Sequence, residues 1–147
     1  LGRKILLGKF KSFNTFADKV SEFTKTVHRS EMKKFIKPLK RSMLAWKINN
    51  YRIAFKASKN RDMVGSASVD YLMYSGYVCL AYYWAMMAET AYQKLEKGEG
   101  DLAFYRAKIQ TAEFYFERML PRAKGHAKMM LKDPKSLMQM KEEDFSF

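Results

Sequence analysis

Apolar positions recur along this chain at the spacing of helices, and no run alternates with period two for long enough to make a strand. In the first stretch, Lys9 to Val27, Phe10, Phe13, Ala17, Val20 and Val27 form one stripe, widened by Phe16 and Phe23, with lysines opposite. Ser30 caps a short turn holding Met32, Phe35 and Ile36. Pro38 disfavours α geometry at Lys37, so the second helix is placed from Pro38 to about Asn60. Its buried side is Leu39, Met43, Trp46 and Ile53, widened by Leu44, Tyr51 and Phe55. The next stretch differs from all the others. From Tyr71 to Ala88, eighteen residues carry no charge, and every face is apolar. The spacing predicts a third helix opening at Ser66 or Ser68 and ending at Leu95 or Glu96. Its small face, Ala81, Ala85 and Ala88, is where a neighbouring backbone comes close. A helix apolar all round is enclosed by other helices or lies in lipid. Five tyrosines, a central glycine and acidic flanks argue against a membrane span. Trp84 is therefore expected in an enclosed interior.

The turn Lys97-Gly98-Glu99-Gly100 and a capping Asp101 precede the fourth stretch. There Tyr105, Ile109, Ala112, Phe116, Met119, Ala123, Ala127 and Met130 step 4-3-4-3-4-4-3. Pro121 lies inside that pattern and predicts a break near Glu117. Asp133-Pro134 ends it, SLMQM adds a short turn that packs back, and KEEDFSF is an acidic tail. The fold class expected is all-α, an up-and-down bundle of about four helices around an apolar central one.

Charge changes the picture more than overall composition does. Residues 1–61 hold 17 Lys and Arg against 3 Asp and Glu, a net of +14, while residues 62–147 net −1. The excess fits either a solvated helix face or a footprint for an anionic partner. Lys33, Lys34, Lys37, Lys40 and Arg41 are its densest group and the candidate contact with an anionic surface, such as a membrane. With the apolar stripes occupied by the core, that contact is expected to be peripheral. Nucleic acid is disfavoured because the aromatic residues fall on the buried stripes rather than among exposed cations.

Catalytic patterns are missing. His28 and His126 are far apart and lie in basic surroundings, Cys79 sits inside the apolar run, and no phosphate loop, HExxH or nucleophile elbow occurs. Glu89, Glu113 and Glu117 are the acids nearest the core, without histidines at spacing for a di-iron site. No catalytic, cofactor-binding or metal-ligating residue is assigned. Read from its residues alone, the chain is a non-catalytic helical bundle; a free-standing basic module binding an anionic partner is the alternative function.

From Tyr71 onward, YLMYSGY (71–77), AYYWAMMA (81–88), FYRAKIQTAEFYFERMLPR (104–122) and LMQM…EEDF (137–145) resemble the C-terminal helical domain appended to a subset of acyl-CoA dehydrogenases. In that family a Tyr-Glu-Gly-Thr segment with the catalytic glutamate is followed shortly by Leu-Gly-Arg-Lys, and Leu1-Gly2-Arg3-Lys4 looks like that ending. The resemblance implies that residues 1–8 are a remnant of the preceding dehydrogenase core and 9–147 the helical domain. It implies that the general base and FAD site lie upstream, so that this chain holds no cofactor, is a fragment, and is inactive alone. Its implied partners are the upstream dehydrogenase domains and further copies of the full-length enzyme. The expected location is the cytoplasm, peripheral to the membrane. Residues 5–65 match the family only in helical character.

Overall fold

The computed structural model describes residue 8 and residues 10–145. The Leu1–Lys4 match, most of the proposed remnant, and the start of the first helix at Lys9 lie outside the described residues. Among the described residues six α-helices follow in order: α1 (Lys11–Thr26), α2 (Lys33–Lys59), α3 (Asp62–Lys97), α4 (Leu102–Phe114), α5 (Ala123–Met129) and the single turn α6 (Lys135–Met138). No strand occurs among the described residues. The long helix α3 is the common partner of α2, α4 and α5. Along its inner face, Val78, Ala81, Ala85 and Ala88 are fully buried, so the small residues bring the neighbouring helices close. Aromatic rings fill the wider end: Trp46 meets Phe13 edge to face at 5.2 Å and lies against Tyr71 and Tyr74. Two hydroxyls tie the helices across this core. Tyr74 donates to the Ser42 carbonyl and Tyr115 to the Tyr77 carbonyl, each at 2.8 Å. Burial pushes the pKa of each of these phenols up to about 12.

Two helices begin earlier than local sequence preference suggests. A 3-10 turn, Ser30–Met32, leads straight into α2 at Lys33, so Pro38 lies within the helix rather than opening it. It removes one backbone bond, but Met32, Phe35, Ile36 and Leu39 on the same stretch are all buried, and their burial outweighs that loss. Helix α3 starts at Asp62, not at Ser66 or Ser68. The Asn60 side chain accepts from the Asp62 backbone N–H at 3.0 Å, and Met63 and Ala67 are buried on both sides of Gly65-Ser66. The turn between α3 and α4 matches the sequence reading, whereas α5 ends at Met129, ahead of the expected stop at Asp133-Pro134. Gly98 is left-handed (φ 65°) beyond the end of α3, and the Asp101 carboxylate accepts from the N–H groups of Ala103 and Phe104. The break before Pro121 is a π turn, Tyr115–Met119, followed by a 3-10 turn, Leu120–Arg122. It lets both α4 and α5 face α3.

The expectation that α3 is enclosed is corrected by the structure. One side is buried; Leu72, Met73, Leu80, Tyr83, Met86 and Met87 on the other are exposed. Helices α2, α4 and α5 do not close a ring around it. Trp84 is only partly buried, stacked at 6.4 Å on Tyr115 with the Lys108 ammonium over its ring. In α2, likewise, Leu44, Tyr51 and Phe55 do not widen the buried side; they are 60–64% exposed. Nor does the SLMQM turn pack back, since Leu137, Met138 and Met140 are exposed.

Candidate functional site

The five basic residues singled out from the sequence do not act as one patch. All lie in the first part of α2. At 100° per residue Lys33, Lys37 and Lys40 share its outer face, and Arg41 stands on the shoulder of that face. Lys34 stands within about 20° of Arg41 on that shoulder, but it is engaged: it forms an ion pair with Glu113 of α4, above the rings of Phe35 and Tyr92. Burial alone pushes the Lys34 pKa down; hydrogen bonds to Glu113 and Tyr92 more than reverse this and leave it raised. Further along, the outer face of α2 changes character and continues as exposed Leu44, Ile48, Tyr51 and Phe55, stepping 4-3-4. The surface is therefore basic at one end and apolar at the other.

Lys34 belongs to a band of charge that fastens the start of α2 to α3 and α4. Arg29 donates to Glu96 at 2.6 Å, lies 3.9 Å from Glu89, and places its guanidinium over the Tyr92 ring. Of the three acids expected nearest the core, Glu89 and Glu113 thus have structural partners, while Glu117 is exposed. His126 is not a bare surface residue in basic surroundings. Its Nδ1–H donates to Asp70 at 2.8 Å, and its ring stacks on Tyr77, clamping α5 to α3. The partner is 56 residues away in sequence, beyond the reach of any local pattern. His28 is exposed.

The surface grooves are open and mostly apolar. One, of about 310 Å³, is lined by Phe10, Phe16, Trp46, Tyr71 and Cys79. Cys79 is half-buried there, and burial pushes its thiol pKa up, which disfavours a reactive thiolate. A second, of about 340 Å³, lies between Pro38 and Pro121; a third, of about 360 Å³, lies between Met87 and Phe104. None sets a nucleophile beside a base. Among the described residues no three His, Cys, Asp or Glu side chains gather in a way that could hold a metal ion. No described helix is long and apolar enough to cross a membrane. What the geometry of the described residues offers is contact surface.

The sequence profile of the acetyl-CoA dehydrogenase C-terminal-like family matches residues 16–141. No curated protein sequence matches the chain. The profile takes in α1 from Phe16 onward and all of α2 to α6, including most of the segment before Tyr71 for which the sequence offered only helical character. By that match, the chain belongs to the acetyl-CoA dehydrogenase C-terminal-like family.

Proposed function

We propose that this chain serves as a non-catalytic helical domain of a FAD-dependent acyl-CoA dehydrogenase, which it braces from the side. The chemistry implied is α,β-dehydrogenation: a carboxylate takes the α-proton and FAD takes the β-hydride. Both groups are assigned to dehydrogenase domains upstream, and no residue of this chain is given either role. The family match over residues 16–141 carries the reading. The polar geometry supports it, because the best-placed ionisable side chains are paired across helix contacts: Arg29 with Glu96, Lys34 with Glu113 and His126 with Asp70. Purified on its own, the 147-residue chain should show no flavin absorbance and no oxidation of acyl-CoA with an artificial electron acceptor. Bound flavin, or unaided turnover, would overturn the reading.

A second role is favoured by one observation, the outer face of α2. Lys33, Lys37 and Lys40 followed by exposed Leu44, Ile48, Tyr51 and Phe55 suit an anionic lipid surface, cations to the headgroups and apolar side chains to the boundary beneath them. The sequence reading kept such contact free of insertion because the core was to occupy these side chains. Their exposure removes that restriction.

A further inference from the structure

The charge-free side of α3 has an order of its own. Val69, Met73, Gly76, Leu80, Tyr83 and Met87 step 4-3-4-3-4 along its exposed face. The same rhythm runs outward to Ser66 and Asp62 at one end and to Thr90 and Lys94 at the other. Such a seam is that of a coiled coil, yet no helix of this chain covers it: Val69 is 71% exposed and Leu80 51%. From the geometry we infer that a second copy of this chain covers the seam, its α3 packed antiparallel along the first about a two-fold axis between Gly76 and Leu80.

Four observations select a second copy over other occupants. The seam is self-complementary when reversed. Gly76 then faces Leu80 of the second copy, Met73 faces Tyr83, and Val69 faces Met87. Ser66 meets Thr90, hydroxyl to hydroxyl. At the ends, exposed Asp62 reaches Lys94, which already holds Glu99 of its own chain at 2.6 Å and so is shared between two acids; each pair occurs twice, as an isologous interface requires. Gly76 is the second observation. No other described part of the chain lies within 4 Å of where its β-carbon would stand, so nothing in this fold requires a glycine at mid-helix. The facing Leu80 does supply a reason, since its side chain needs that space. Third, the net charge of +14 sits in residues 1–61, while residues 62–147 net −1. Two strongly basic chains can meet along α3 without bringing their cationic halves face to face; the seam itself offers an anionic surface no cation between Asp62 and Lys94, and Lys108, which lines the groove beside Met87, lies over the Trp84 and Phe104 rings. Fourth, the size is adequate. From Asp62 to Lys94 the helix runs about 48 Å. A strip about 10 Å wide makes roughly 1,000 Å² in total, at the lower bound of a specific interface, and exposed Leu72 and Met86 widen it. The groove between Met87 and Phe104 lies where Val69 of the second copy arrives.

Sedimentation velocity of the 147-residue chain from low to high micromolar concentration tests this, and the inference holds whether or not the domain rides on a dehydrogenase. The expected result is a reversible monomer–dimer equilibrium. Leu80→Arg should weaken the dimer by at least about tenfold, with helical circular dichroism unchanged because the side chain is exposed in the monomer. Gly76→Leu is the second variant. It should hold or raise the melting temperature of the monomer and still weaken association. Asp62→Lys should weaken association too, and adding Lys94→Asp should restore it. A chain that stays monomeric throughout, a dimer indifferent to both Leu80→Arg and Gly76→Leu, or capture by anionic vesicles through this face in place of self-association overturns the proposal. Failure of the double charge exchange to rescue overturns the antiparallel register.

Discussion

Helices α2 and α3 are both long, both bury one side in the same core, and both leave an apolar stripe uncovered. Their outer faces nevertheless differ. On α2 the stripe follows three lysines and is hemmed by Lys47 and Arg52; on α3 the residues from Tyr71 to Ala88 carry no charge, and the stripe continues outward to an acid, Asp62, at one end and a base, Lys94, at the other. Exposed apolar area alone does not specify an occupant. The neighbouring charges do, by what they repel: a strongly cationic border discourages a second basic chain and admits an anionic surface, whereas an uncharged seam admits a copy of itself.

The largest effects should separate inner from outer faces. Phe35→Ala on the inner side of α2 removes a ring that is 1% exposed and packed at 5.1 Å on Phe116, and should cost about 3–5 kcal/mol in denaturant melts. Phe55→Ala on the outer side of the same helix should stay within about 0.5 kcal/mol. Equal losses would erase the distinction between the faces. Trp84 falls between these limits: half-buried on α3, it cannot carry the full cost assigned to an enclosed ring.

An intermediate effect concerns the bonds that hold α3 to its neighbours. The folded state keeps Tyr74 protonated up to about pH 12, while an unfolded tyrosine ionises near pH 10. The unfolded state thus releases protons first, so the stability this phenol contributes is intact below pH 10 and is lost as pH rises from 10 to 12. Tyr115 acts in the same direction. Tyr74→Phe should cost about 1 kcal/mol at neutral pH, the bond to the Ser42 carbonyl being lost, and should flatten the fall in urea midpoint above pH 10. An unchanged alkaline slope would refute the assignment.

The smallest effect belongs to the basic face, where each cation near an anionic leaflet is worth at most about 1 kcal/mol. Reversing Lys33, Lys37, Lys40 and Arg41 should abolish low-salt co-sedimentation with anionic vesicles. Reversing Lys34 alone should leave vesicle binding in place and lower stability instead, since that side chain is held by Glu113. Absence of binding by the unaltered chain at low salt would remove the lipid role.

The sequence made most of the helical pattern legible because the 4-3 rhythm of Tyr105 to Met130, the capping Asp101 and the breaking Pro121 are local signals. It misplaced the starts of α2 and α3 because Pro38 and Ser66 speak for local preference, while Phe35, Ile36 and Met63 are decided by what they pack against. It also took an apolar residue for a buried one. Periodicity tells which side of a helix avoids water, not whether this chain supplies the cover, and so Leu44, Tyr51, Leu80 and Tyr83 were assigned to an interior they do not enter. Neither the clamp of His126 on Asp70 nor the diversion of Lys34 to Glu113 has any signature at short range.

The π turn at Tyr115–Met119 has a consequence for chain length. In effect it is a helix carrying one residue more than its turns require, with the surplus stored beside Pro121. Removing one residue there would let the helix close up as regular α and swing everything beyond it by about 100°. His126 would come off Asp70, and Ala123 and Met130 would rotate out of the core. Beyond Met130, the exposed Lys132 and Asp133 lead only into α6, which buries no side chain and so has no such phase to keep. Two deletions of equal size, only some fifteen residues apart, would thus meet opposite fates, and the length of this chain is counted more strictly at its bend than at its loops.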